Sequence, residues 1–124
     1  MALTTFEDLE VWKRGCNLAV DVCVATHHSK NYGLKDQLQR SAISVPSNIA
    51  EGSERNSDGD FIRFLRISKG SCGELRTQLY ISERVHKALD LEPLANSREM
   101  IQESREISAM LQGLIRSIES RREK

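Results

Sequence analysis

The chain has 124 residues, enough for one domain with a real core and too few for two. Lysine plus arginine and aspartate plus glutamate both number 18, so the formal net charge is zero, which argues against a dedicated nucleic-acid binder with the basic excess such proteins carry. Aromatic residues make up 5% and prolines number two, so long segments rich in Leu, Ile, Arg, Glu and Ser run almost without breakers and predict helices.

Thr4 or Thr5 is placed to cap a first helix, with Glu7 and Asp8 in its first turn at the positive end of the dipole. Leu9, Trp12, Cys16, Ala19/Val20 and Cys23 recur at spacings of three and four and predict its buried face. Gly15 inside it weakens the helix locally or admits a close neighbour. From Leu18 to Ala25 only Asp21 is polar, which is more apolar surface than one face of a helix needs and predicts a second packing partner. The helix is expected to run out at His27-His28-Ser29, with Asn31-Tyr32-Gly33 as the turn.

The second helix carries Leu34, Leu38, Ala42, Val45 and Ile49 on one face and Arg40, Ser44, Asn48 and Glu51 in a polar row nearly opposite. Pro46 lies inside it, removes a backbone donor and pushes on the carbonyl of Ala42, so a kink or broken turn is expected, with Ser44 and Ser47 placed to bond freed backbone groups. Gly52 reads as a left-handed C-terminal cap. Residues 44–54 thus read as the joint between two hairpins. The competing reading is a ligand or protein site built on Asn48 and Glu51.

Arg55-Asn56-Ser57-Asp58-Gly59 is a polar connector with Ser57 or Asp58 as the next cap. The third helix is expected from Asp60 to Leu89, with Phe61, Phe64/Leu65, Ser68, Cys72, Leu75 and Leu79 inward. Gly70-Ser71-Cys72-Gly73 predicts close helix contact at mid-length, with Trp12 filling the space opposite. Asp90-Leu91-Glu92-Pro93 ends this helix and starts the fourth, whose face is Leu94, Ile101, Ser104, Ser108, Leu111, Ile115 and Ile118, with Ile107 and Leu114 alongside. Arg121-Arg122-Glu123-Lys124 is a basic end suited to the negative pole of that helix. Four helices with short loops predict an all-α, antiparallel up-down four-helix bundle in a single domain over 1–124.

Cys16, Cys23 and Cys72 form no Cys-x-x-Cys pair, and Cys16 and Cys23 stand roughly 10 Å apart along a helix, too far for a disulfide. A reducing, cytoplasmic setting is expected. The opening residues from Met1 to Asp8 show neither the basic nor the apolar region of a secretory leader, and no apolar run approaches the ~20 residues of a membrane span.

Three stretches carry a family resemblance: Phe6-Glu7-Asp8-Leu9-Glu10-Val11-Trp12; Gln37-Leu38-Gln39-Arg40-Ser41 running into residues 44–52; and Phe61-Ile62-Arg63-Phe64-Leu65 followed by Gly70-Ser71 and Glu74-Leu75. On these the chain resembles the four-helix-bundle family that includes proteins encoded in intervening sequences of bacterial large-subunit ribosomal RNA. The resemblance implies an up-down bundle assembling as a ring-shaped homopentamer. It also implies a relative of similar fold, the accessory variability protein of diversity-generating retroelements, which is strongly basic and works with a reverse transcriptase and nucleic acid. This chain departs from that branch in its zero net charge, and His27-His28-Ser29-Lys30-Asn31 replaces the family's usual proline-containing acidic loop.

The working surface expected from charge lies on helix three. At ~100° per residue, Arg63, Arg66, Lys69, Arg76, Arg84 and Lys87 fall within an arc of about 140°. Such a stripe suits phosphates of RNA or DNA, multiplied by avidity in a ring. It equally suits acids of the same or a neighbouring subunit, the Glu99/Glu103/Glu106 row being one example, or solvated tips over apolar stems. Cys23 and His27 at i, i+4 with Cys16 read as core packing, since no fourth metal ligand is evident, and His86 reads as a surface residue. No Ser-His-Asp ordering or glycine-rich phosphate loop occurs, and no arginine stands five to seven residues before His27, His28 or His86, as the helical HEPN ribonucleases require. The expected function is a non-catalytic homo-oligomeric scaffold without cofactor or metal. A nucleic-acid-binding ring is the alternative, and a small helical ribonuclease the remote one.

Overall fold

A computed structural model describes residues 5–123; Thr4 as a cap, the opening residues Met1–Thr4 and Lys124 of the basic end lie outside the described residues. A 3₁₀ turn, Phe6–Asp8, precedes four helices: α1 Glu10–Thr26, α2 Tyr32–Ser53, α3 Asp58–Ala88 and α4 Ser97–Arg122. No strand occurs among the described residues. None of these helices is long and apolar enough to cross a membrane.

The helices close a square in chain order. α2 packs on α1 and α3, and α4 on α3 and α1, while the diagonal pairs α1/α3 and α2/α4 do not meet. Neighbours run antiparallel. Thr26 pairs with Gln39 at one end of the α1/α2 seam, and Gly15 faces Pro46 toward the other. Between α2 and α3, Ser41 bonds Gln78, Ser44 bonds Ser71, and Gly52 lies on Phe64. The α3/α4 seam is marked by Glu83 with Arg98 and, far along, Asp58 with Arg121.

The core runs the length of the square. Leu18 and Val22 of α1, Leu38, Val45 and Ile49 of α2, Leu65, Leu75 and Leu79 of α3, and Ile107, Leu111 and Ile115 of α4 are all 1% exposed or less. Each fully buried side chain of this type contributes about 1.5–3 kcal/mol. The predicted stripes of α2, α3 and α4 match, except that Leu34, Phe61 and Ser108 are half-buried and Leu94 precedes α4.

Helix α1 differs. Its buried residues are Val11, Gly15, Leu18, Ala19, Val22 and Thr26, a face turned by about one residue from the one predicted. Leu9, Trp12, Cys16 and Cys23 are half-buried, and Val20 is 59% exposed. The run from Leu18 to Ala25 is apolar on every side but that of Asp21, so its sequence does not distinguish which side faces inward.

The capping signals resolve unevenly. Thr5 closes the 3₁₀ turn rather than α1, its amide donating to the Asp8 carboxylate at 3.3 Å and its carbonyl accepting from the Asp8 amide at 3.0 Å, and α1 starts after Leu9 without a side-chain cap. Asn31-Tyr32-Gly33 is not a turn but the start of α2: Asn31 is its cap, accepting from the Leu34 amide at 3.3 Å. Ser57 caps α3 as predicted, accepting from the Asp60 amide at 3.1 Å. α3 ends at Ala88 in a six-residue wrap: Leu91 N donates to His86 O at 2.8 Å and Asp90 N to Lys87 O at 3.1 Å, with Asp90 left-handed at φ 56°. Pro93 therefore lies in the connection rather than the first turn of α4, which begins at Ser97 after left-handed Asn96.

Candidate interaction surfaces

The 44–54 stretch has a buried half and an exposed half. α2 continues unbroken from Tyr32 to Ser53, so the broken turn expected at Pro46 is absent. The buried proline ring faces Gly15 of α1, where a Cβ would stand 3.5 Å from Pro46 Cβ. On the α3 side, Asn48 Nδ2 donates to both the carbonyl and Oγ of Ser44 at 2.8 Å, and Ser44 Oγ meets Ser71 Oγ at 2.8 Å. Ser68, fully buried, donates to the Val45 carbonyl at 2.7 Å. The backbone is thus bonded by Asn48 and Ser68 rather than by Ser44 and Ser47. Glu51 points to solvent and takes Arg55 at 3.2 Å.

Gly52 is not a left-handed cap. No glycine has positive φ, and Gly52 is buried inside the last turn of α2, where a Cβ would fall 2.6 Å from Phe64 Cβ and 3.1 Å from Phe61 Cδ1. Its missing side chain lets α2 and α3 touch. Pro46, Asn48, Glu51 and Gly52 therefore point in different directions: α1, α3, solvent and α3. They do not converge on a pocket.

The helix-three stripe is split along its length. Arg63 lies over the Phe64 ring at 4.5 Å and 3.8 Å from Asp60. Arg66 pairs with Glu119 at 2.9 Å, and Lys69 donates to Gln112 at 2.8 Å. Arg76, Arg84 and Lys87 form no ion pair among the described residues. Arg66, Lys69 and Arg76 line one groove of about 420 Å³ with Gly70, Ser108 and Gln112, and no carboxylate lines it. Gly70 and Gly73 have open space where a Cβ would be, so they admit no helix within the chain, and Trp12 on the diagonal helix stacks edge-on with Phe6 at 5.2 Å instead.

The acidic row expected to meet this stripe faces α1. Arg14 bonds Glu103 through Nε at 2.8 Å and through a second nitrogen, and reaches Glu106 at 2.8 Å. These bonds raise the Arg14 pKa further, and the Arg14 hydrogen bond holds the Glu106 carboxyl below its ordinary value. A forked guanidinium bridging two carboxylates on successive turns of α4 fixes α1 to α4. Position 14 gives no periodic signal, because the pairing depends on which helices become neighbours.

The outward face of α1 carries Val20 and Val24, 59% and 71% exposed, with half-buried Cys16 and Cys23 beside them. The Thr26–Gln39 and Gly15–Pro46 contacts set Ile43 of α2, 49% exposed, level with residues 18–22 of α1, so one apolar face spans both helices. Cys23 and His27 line a surface cleft with Val24 and His28, and no group of three or more metal-ligating side chains forms among the described residues. Burial pushes the Cys72 thiol up to about 11 despite the nearby Arg76 charge, and burial raises Cys16 too.

A family model described as 23S rRNA-intervening sequence protein matches residues 7–113, which includes all the surfaces above except the end of α4. No curated protein matches the chain.

Proposed function

Since the chain belongs to the family of 23S rRNA-intervening sequence proteins, we propose that it acts as a non-catalytic, homo-oligomeric scaffold of the cytoplasm, built from several copies of the bundle in a closed ring, with five as the expected number. The observation that carries this reading is the outward apolar face of α1, where Val20 and Val24 stand 59% and 71% exposed. A helix in a lone bundle needs one apolar stripe, and α1 has a second one facing away from its own core. Contiguous exposed apolar surface of this kind marks interaction sites. A second copy suits it because Cys16, Val20, Cys23, Val24 and Ile43 bury against like residues, with Lys13 and Asp36 at the margin of the face as exposed charges. Size-exclusion chromatography with light scattering tests it. Val20→Glu with Val24→Glu, both at exposed positions, shifts the particle toward the single chain; an unchanged mass overturns the reading.

The groove of Arg66, Lys69 and Arg76 supports a second reading, in which the assembled ring also holds RNA or DNA phosphates. Repeating a three-cation groove around a ring converts weak contacts into useful avidity. Binding that weakens with salt and disappears in Arg66→Glu with Lys69→Glu supports it. Absence of binding at low salt removes it.

A further inference from the structure

One end of the bundle, where the α1–α2 and α3–α4 connections meet, forms a half-open cavity of about 450 Å³, within the ~300–1,000 Å³ range of small-molecule sites. Its apolar wall is Ala25, Val85, Leu89, Leu91 and Leu94. Leu89 and Leu91 are 63% and 56% exposed, an open placement for two leucines. The wrap that ends α3 holds them there, with Asp90 left-handed between them and Leu91 N tied to His86 O at 2.8 Å.

The polar groups at this cavity are a lysine, two imidazoles, a hydroxyl and an amide. His28, Lys30 and His86 line it, with Ser29 and Asn31, and no carboxylate does. Lys30 forms no ion pair or side-chain hydrogen bond among the described residues. His86 Nδ1 is shielded from solvent and is without a hydrogen-bond partner, so no bond fixes the orientation of that ring. Asp90 and Glu92 flank Leu91 in the chain without lining this cavity; Glu83 and Asp90 line a neighbouring one, where Glu83 is engaged by Arg98 at 3.1 Å and Ser97 at 3.0 Å.

We propose that this cavity binds a small amphipathic monocarboxylate of the medium-chain fatty-acid class, its hydrocarbon against Leu89, Leu91 and Leu94 and its carboxylate at Lys30. His86, which also lines the cavity and has a ring nitrogen without a partner, supplies the second donor. An ammonium head would meet Lys30 as a like charge, and a hydroxyl head would lose the charge-assisted bond. The cavity shares His28 with the cleft at Val24, but the groups assigned to the ligand, Lys30, Leu89, Leu91 and Leu94, lie outside that cleft.

Isothermal titration calorimetry of the full chain with octanoate, octan-1-ol and octylamine tests it. Octanoate binds, octan-1-ol binds about tenfold or more weakly, and octylamine does not bind. Lys30→Glu, at an exposed position, weakens octanoate about tenfold or more while leaving octan-1-ol unchanged. Leu91→Ser, also at an exposed position, weakens both. Equal binding of octanoate and octylamine, no effect of Lys30→Glu on octanoate, or no heat with octanoate up to its solubility overturns the proposal.

Discussion

Gly52 of α2 lies so close to Phe64 of α3 that a Cβ on the glycine would stand 2.6 Å from the Phe64 Cβ. The obstructing atom is fixed to the α3 backbone, so neither side chain can swing aside. Ordinarily glycine to alanine in a helix gains about 1 kcal/mol. Here Gly52→Ala is expected to lose about 1–3 kcal/mol through overpacking, read as a lowered thermal midpoint by circular dichroism. Gly70→Ala, with open space at its Cβ, raises the midpoint and serves as the control.

Asn48 holds the same seam by hydrogen bonds. Its amide donates to the carbonyl and hydroxyl of Ser44, which in turn meets Ser71 on α3. Asn48→Ala is expected to cost about 1–2 kcal/mol, and Asn48→Asp at least as much, because a carboxylate replaces both donors with an acceptor beside the Ser44 carbonyl. Denaturant titration measures both.

Among the described residues, Arg14 is the single cation paired between α1 and α4. Arg14→Leu is expected to cost about 1–2 kcal/mol, the range of a partly exposed charge-assisted pair. The pH dependence follows from Glu106, whose folded pKa lies below its unfolded value. Its contribution is present above the unfolded carboxylate range and is lost as pH falls through the folded value. Wild-type protein therefore loses more stability than Arg14→Leu on acidification below about pH 5.

Cys72 gives the opposite window. Its thiol is pushed up to about 11 by burial, above the ordinary value. Between those two values the unfolded chain releases a proton that the folded chain keeps, so stability falls as pH rises from about 9 toward 11. Cys72→Ala reduces that slope in alkaline melting curves, leaving the share of Cys16, which burial also raises. In native protein at pH 8, Cys72 resists alkylation while unfolding in denaturant exposes it.

The bundle was legible wherever a helix had one apolar stripe. α2, α3 and α4 each show spacings of three and four against a charged remainder, and their inward residues follow from that pattern. In α1 the run from Leu18 to Ala25 carries apolar residues on every side but that of Asp21, so the sequence announced a surplus without saying which side was core. Val20 fell on the predicted inward face, and the structure turns it out at 59% exposure. Gly52 followed a helical run and so looked like a cap; its actual role depends on Phe64, twelve residues on and across a turn. The acids Glu103 and Glu106 were visible as a row, but whether they meet α1 or α3 depends on the order of helices around the square. Local signals such as Ser57 transferred directly, because a cap is decided within four residues.

Native mass spectrometry of the untagged chain at micromolar concentration tests the central claim most directly, since it counts subunits. The account predicts one dominant closed species at five times the 14.1 kDa of a single chain, shifted to the monomer by Val20→Glu with Val24→Glu. A monomer as the sole species of the unmodified protein, holding from low to high micromolar concentration, would contradict it.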